Sequence, residues 1–344
     1  MTGNIEIKGS GIFRIEAVNE VVYSQKLSDT SVRQLHMNLL IPKRSDGVVE
    51  VSPGIAPTAL NGAAVRDSNG GRNFGISGLR PAVVYFPGGG FLSSRPDRYV
   101  QLRMALAEAG FVVASVEYRT VPDRFPAMVE DGRTAVRFLR AHAPGLGIDP
   151  GRIGVLGHSA GGYLAMMTGF SLPEDGWDGT EWRYAPDYGG IPAGEDCGKI
   201  AAVSSQVQAV ASIYGISDLR DIGADFPAEV QRIHHSPAAA EALMLHGAAY
   251  KDFPGASITE DPQAAFAASP AAHVRSGLPP VLLMHGTSDT LVSPSQTARM
   301  HSALEAAGVP VDYYTVAGAG HGGPHWLQPE VIGTIVDWFR RVLR

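Results

Sequence analysis

Residues 153–166 read Ile-Gly-Val-Leu-Gly157-His158-Ser159-Ala160-Gly161-Gly162-Tyr-Leu-Ala-Met. A short apolar run enters a Gly-x-Ser-x-Gly turn and leaves into residues that suit a helix. A strand that turns this sharply into a helix needs glycine two places before and after its apex. Side chains there would collide with the strand and the helix. The turn lifts Ser159 above the sheet, at a helix N-terminus. The bare pattern also fits a plain structural turn, since the chain has 41 glycines. The strand before it and the helix after it favour the sharper reading.

The strand–helix rhythm continues in both directions. Residues 11–24 and 33–41 alternate as antiparallel strands do. Nearly continuous apolar runs at 80–86, 111–117, 153–157, 208–214, 280–285 and 310–316 suit strands buried on both faces. Helical patterns are expected over 98–109, 126–143, 160–169, 293–307 and 324–342. This alternation predicts an α/β fold with a mostly parallel central sheet and helices on both faces. Length alone suggests two domains at ~150 residues each. The motif spacing instead predicts one domain over 1–344, with its surplus held in three segments. These are an insertion at 43–79 and two lid-like stretches at 171–200 and 216–279.

Composition excludes several classes. A net charge of −6 leaves no basic footprint for nucleic acid. The longest apolar runs fall short of a membrane span. One cysteine, Cys197, allows neither an intrachain disulfide nor a cysteine-based zinc site. The residues after Met1 lack an apolar signal core, so a cytoplasmic location is expected.

Ser159 needs a base to become a nucleophile. His321, in Gly318-Ala-Gly-His321-Gly-Gly, sits on a glycine-flanked loop after strand 310–316. An acid must then hold the imidazole tautomer and support its cation. Asp289, in His285-Gly-Thr-Ser-Asp289, leaves strand 280–285. The order Ser159, Asp289, His321 is that of doubly wound hydrolases. All three follow the C-terminal ends of strands, where open α/β sheets place their sites. Asp218 also follows a strand and is an alternative acid. His321 and His325, with His234 and His235, offer a zinc alternative, but no Glu lies between the first pair to act as base. Gly318-x-Gly320-x-x-Gly323 matches a dinucleotide fingerprint in letters only, since no βαβ unit follows it. Gly88-Gly89-Gly90 after strand 80–86 offers backbone donors for an oxyanion, with Ala160 N–H completing the set. Gly88, Gly89 and Ala160 are the expected donors. Phe91, His158, Trp177 and Trp182 are expected substrate contacts.

These stretches resemble the esterase/lipase group of α/β-hydrolases, nearest the feruloyl-esterase-like and hormone-sensitive-lipase-like branches. The matching segments are 81–91, 114–119, 125–131, 147–153, 157–162 and the Asp289 and His321 loops. The resemblance covers roughly residues 80–344. It implies hydrolysis of a small to medium carboxylic ester through an acyl-enzyme, with no cofactor and no metal. It also implies that Arg119 and Asp131 are structural partners. Pro87 departs from the usual His before the three glycines. An amidase or short-peptide hydrolase would use the same residues. A non-catalytic binding member of the fold would be expected to have lost one of them. The expected partner is a small ester, and homo-oligomerisation is left open.

Overall fold

Two long antiparallel strands open the structure, a computed structural model that describes residues 13–27, 32–44, 78–177 and 203–344. β1 (Phe13–Leu27) pairs with β2 (Val32–Arg44), and β2 joins them antiparallel to the rest of the sheet. In chain order there follow β3 (Arg80–Phe86), α1 (Val100–Glu108), β4 (Val112–Val116), α2 (Ala127–Ala141) and α3 (Ala143–Leu146). Then come β5 (Ile148–His158), α4 (Ala160–Phe170), β6 (Ala209–Ile213), α5 (Ala228–His234), α6 (Ala240–His246) and α7 (Pro262–Ala267). The chain finishes with β7 (Val281–Gly286), α8 (Pro294–Ala306), β8 (Val311–Val316) and α9 (Pro329–Val342).

The strands form one eight-stranded sheet in the order β1-β2-β4-β3-β5-β6-β7-β8. From β4 to β8 every neighbouring pair is parallel. Side chains alternate across a strand, so β3 feeds both faces. Ala82, Val84 and Phe86 join one core with α2, α4 and α8. Val83 and Tyr85 join the other core, with α1 and α9. Burial on both faces explains why these strands read as continuous apolar runs.

Most expected boundaries lie within a few residues of the observed ones. The last helix is an exception. Residues Pro324–Leu327 form a separate 3-10 turn, and α9 starts at Pro329. Gln328 is extended (φ −71°, ψ 146°), because the residue before a proline avoids the helical region. His325 therefore lies on the short turn and not on a long helix. The 216–279 stretch carries α5, α6 and α7, the first of which showed no clear pattern in sequence. The 43–79 and 171–200 stretches lie mostly outside the described residues.

One buried pair ties α2 to the segment after β4. Arg119 Nε lies 2.9 Å from Asp131 Oδ1, and Arg119 N–H donates to Oδ2 at 2.7 Å. Asp131 is fully buried. Burial outweighs the attraction of Arg119 and pushes its carboxyl up to about 6. Both residues are structural, as the resemblance implied.

Candidate active site

The turn between β5 and α4 is built by close backbone approach. A Cβ on Gly157 would sit 2.0 Å from Gly161 O, and one on Gly161 would sit 2.0 Å from Phe86 O. Only hydrogen fits at either place. Ser159, between them, has φ 54° and ψ −126°, a strained conformation for an L-residue. Its N–H donates to Ile213 O at 2.9 Å, which anchors the apex to β6. Ala160 is the first residue of α4, so its N–H has no partner inside the helix.

Three loops converge on Ser159. Its hydroxyl lies 2.7 Å from His321 Nε2, and His321 Nδ1 lies 2.8 Å from Asp289 Oδ2. A carboxylate accepts only, so Nδ1 carries the proton and Nε2 is the acceptor for the serine hydroxyl. The His321 loop is held by Trp326, whose Nε1–H donates to Gly320 O at 3.0 Å. The Tyr214 ring meets the His321 ring at a 62° tilt, with 4.7 Å between centroids.

Asp289 is almost fully enclosed. Its Oδ1 accepts from the N–H groups of Leu291 (2.9 Å) and Val292 (3.0 Å). Its Oδ2 meets His285 Nε2 at 3.2 Å as well as His321. Burial alone would raise this carboxyl. The hydrogen bonds from His285 and His321 outweigh burial and hold it well below the usual carboxylate range. His285 Nε2 faces a second acceptor, Val292 O at 3.1 Å, so this nitrogen is the donor. Nδ1 then accepts from the Thr297 hydroxyl at 2.6 Å. Asp218, the alternative acid, instead pairs with Arg220 at 2.7 Å. His234 of the zinc alternative pairs with Glu241 at 2.7 Å.

The glycine loop after β3 differs from expectation at one residue. The Gly88 N–H is directed at the His158 ring, 3.1 Å from Nε2 and 3.4 Å from Nδ1. It is therefore not an open donor, which corrects its expected role. The next two peptide units are fixed from their carbonyl ends. Gly88 O accepts from Arg98 Nη1 at 3.2 Å. Gly89 O accepts from the N–H groups of Leu92 (3.0 Å) and Ser93 (3.2 Å). The N–H groups of Gly89 and Gly90 have no acceptor among the described residues. These two, with Ala160, are open donors near Ser159 among the described residues.

Two expected substrate contacts serve packing instead. Phe91 is buried in the core, edge-on to Tyr163. His158 is buried between Tyr99, whose ring stacks at 4.2 Å, and Tyr85, whose hydroxyl lies 2.8 Å from Nδ1. Burial, helped by the Arg98 charge and by His321, lowers the His158 imidazole to about 3. It is a neutral support beneath the glycine loop. Trp177 is half-buried against Phe125 and His273, and Trp182 lies outside the described residues. Sequence reasoning missed Tyr99, Arg98, Tyr214 and His285 as contributors. His285 stood within the quoted acid loop, whereas the other three carried no local signal. A cavity of about 350 Å³, lined by Arg133, Thr168 and Arg275 among others, lies toward the opposite end of α4 from Ser159.

The BD-FAE family model matches residues 75–304, well over half of the chain. The chain belongs to the BD-FAE family. The match spans the glycine loop, Ser159 and Asp289 and stops before His321. Esterase LipC of Mycobacterium tuberculosis is 28% identical to this BD-FAE member over 245 residues, 70% of this chain and 53% of that protein. Neutral cholesterol ester hydrolase 1 of Rattus norvegicus is 43% identical over 97 residues, 26% of this chain and 24% of that one. The chain spans about half the length of the first curated relatives it matches. Among solved structures, a truncated carbohydrate esterase from gut microbiota superposes with a TM-score of 0.68 at 19% identity. It covers 97% of this chain and 98% of that one. An esterase of Thermogutta terrifontis superposes with a TM-score of 0.58 at 24% identity, covering 96% and 92%. These likenesses show the fold of this BD-FAE chain, which is that of an α/β-hydrolase with a mostly parallel sheet. Among the described residues, no helix is long and apolar enough to cross a membrane.

Proposed function

We propose that this chain is a serine carboxylic-ester hydrolase that works through an acyl-enzyme. The observation that carries the reading is the pair of contacts at the strained turn, Ser159 to His321 at 2.7 Å and His321 to Asp289 at 2.8 Å. Ester hydrolases among the relatives of similar sequence support it. Ser159 Oγ attacks the ester carbonyl while its proton passes to His321 Nε2. Asp289 supports the resulting imidazolium. The carbonyl oxygen becomes an oxyanion, held by the N–H groups of Gly89, Gly90 and Ala160. Such donors are each worth ~10²–10³ in rate. The α4 N-terminus adds its positive dipole end. Collapse expels the alcohol, which takes the proton from Nε2. Water then attacks the acyl carbon with His321 as base, releasing the acid and restoring Ser159. Every step runs on side chains and backbone of this chain.

The chain acts as one domain over 1–344 in this reading, and its substrate is a small to medium ester. In the same reading the α5–α7 stretch forms a partial lid beside Ser159, and the other lid-like stretch, 171–200, lies mostly outside the described residues. Support comes from Phe125 N–H, which donates to Met244 O of α6 at 2.8 Å. Its lone Cys197 suits a reducing, cytoplasmic setting. Kinetics on p-nitrophenyl acetate and on the matched anilide test the assignment. Ester turnover that outpaces amide turnover and collapses in Ser159→Ala is expected. Wild-type rates in Ser159→Ala would end it.

A further inference from the structure

Arg98 is exposed and sits ten residues beyond the glycine loop that it touches. We infer that Arg98 is a positioning residue of the oxyanion site: its guanidinium fixes and polarises the Gly88–Gly89 peptide, whose opposite end is the Gly89 N–H. The inference rests on the ester-hydrolase reading above and deepens it.

The physical basis is the peptide unit itself. It is planar and conjugated, so its C=O and N–H point in opposite directions and share one electron system. A cation at Gly88 O draws density toward oxygen and makes the Gly89 N–H a stronger donor, as hydrogen-bond chains polarise one another. The contact also sets the plane of that peptide and hence the direction of the N–H.

The surroundings favour such a role. Arg98 makes no ion pair among the described residues, and the adjacent Asp97 pairs with Arg95 at 2.7 Å. The Arg98 charge is felt at the loop, where it helps burial to lower the His158 imidazole. Its own backbone is anchored, since the buried Arg103 donates from Nε to Arg98 O at 2.9 Å. The next residue, Tyr99, stacks on the His158 ring that receives the Gly88 N–H. One short segment thus controls Gly88 from its carbonyl side and, through His158, from its amide side. Behind it, Pro87 has no N–H and no polar side chain, and its carbonyl accepts from Tyr118 Oη at 2.6 Å. The Gly88 carbonyl relies on Arg98.

The test compares Arg98→Met and Arg98→Lys with wild type on p-nitrophenyl acetate. A boronic acid that forms a tetrahedral adduct on Ser159 is measured alongside. Arg98→Met should lower kcat about 10-fold, a fraction of the loss for deleting a donor outright, with KM within about 2-fold. Boronate affinity should fall by a similar factor, and Arg98→Lys should recover most of both. Arg98→Gln, which can donate but carries no charge, should fall between Met and Lys, and it serves in place of Met if that variant does not fold. Equal kcat in the Met, Gln and wild-type proteins would overturn the inference. So would a loss confined to KM, or a loss of thermal stability that accounts for the lost rate. Failure of the underlying ester-hydrolase reading is distinct, since it appears as a wild type without ester turnover or as turnover that survives Ser159→Ala, whatever residue stands at 98.

Discussion

His285 Nε2 lies 3.2 Å from Asp289 Oδ2, the same oxygen that receives His321 Nδ1 at 2.8 Å. One carboxylate oxygen thus serves two imidazoles. A second donor on that oxygen dilutes the negative charge available to the first. His285 is fully buried and fixed from behind by Thr297 at 2.6 Å.

This sharing has a kinetic signature. His285→Gln weakens a donor that holds Asp289 Oδ2 in place against His321. kcat should fall by about 2- to 10-fold, the worth of one neutral hydrogen bond of ~0.5–1.5 kcal/mol. Thr297→Val leaves the His285–Asp289 contact in place and should cost less. Steady-state kinetics of the three proteins check this.

Buried His158 gives a stability signature. Its folded imidazole is lowered to about 3 by burial, followed by the Arg98 charge, against ~6.5 when unfolded. The unfolded chain therefore binds the proton first as pH falls. Stability from this group is full above ~6.5 and drains as pH drops toward 3. Denaturant unfolding at pH 7.5 and 4.5 should show a loss in wild type to which this group contributes roughly 3 kcal/mol. His158→Leu should remove that share of the pH dependence, whatever its effect on absolute stability. An unchanged difference between the two pH values would contradict the assignment of His158 as a buried neutral group.

The two glycine loops should respond differently to alanine. A Cβ at Gly161 meets Phe86 O at 2.0 Å, and backbone cannot yield to it cheaply. Gly161→Ala is expected to cost at least ~2 kcal/mol of stability and to lower kcat by about 100-fold or more. Gly90 has open space around it but a φ of 58°. Gly90→Ala should cost only ~1–2 kcal/mol of left-handed strain and keep the loop in place, with a smaller loss of kcat. Melting curves and steady-state kinetics on both variants separate them.

What was legible in the sequence was local. The Gly157–Gly161 turn is specified by five consecutive residues, and β3 through β8 by apolar runs bounded by turn residues. Asp289 and His321 could be found because each follows its own strand. The state of the Gly88 N–H was not legible, because it depends on a ring 70 positions away on β5. Arg98 and Tyr214 likewise act through partners on other elements. The start of α9 was not legible, because the apolar pattern of 324–342 runs through Gln328 and hides the effect of Pro329 on it.

In the proposed mechanism Ser159 is the acylated nucleophile. Intact-protein mass spectrometry after brief treatment with a fluorophosphonate reads this directly. One phosphonyl adduct per chain is expected, mapped to the peptide that contains Ser159 and absent in Ser159→Ala, with ester turnover lost in proportion to labelling. A labelled Ser159→Ala protein, or an unlabelled wild type that still turns over ester, would contradict it.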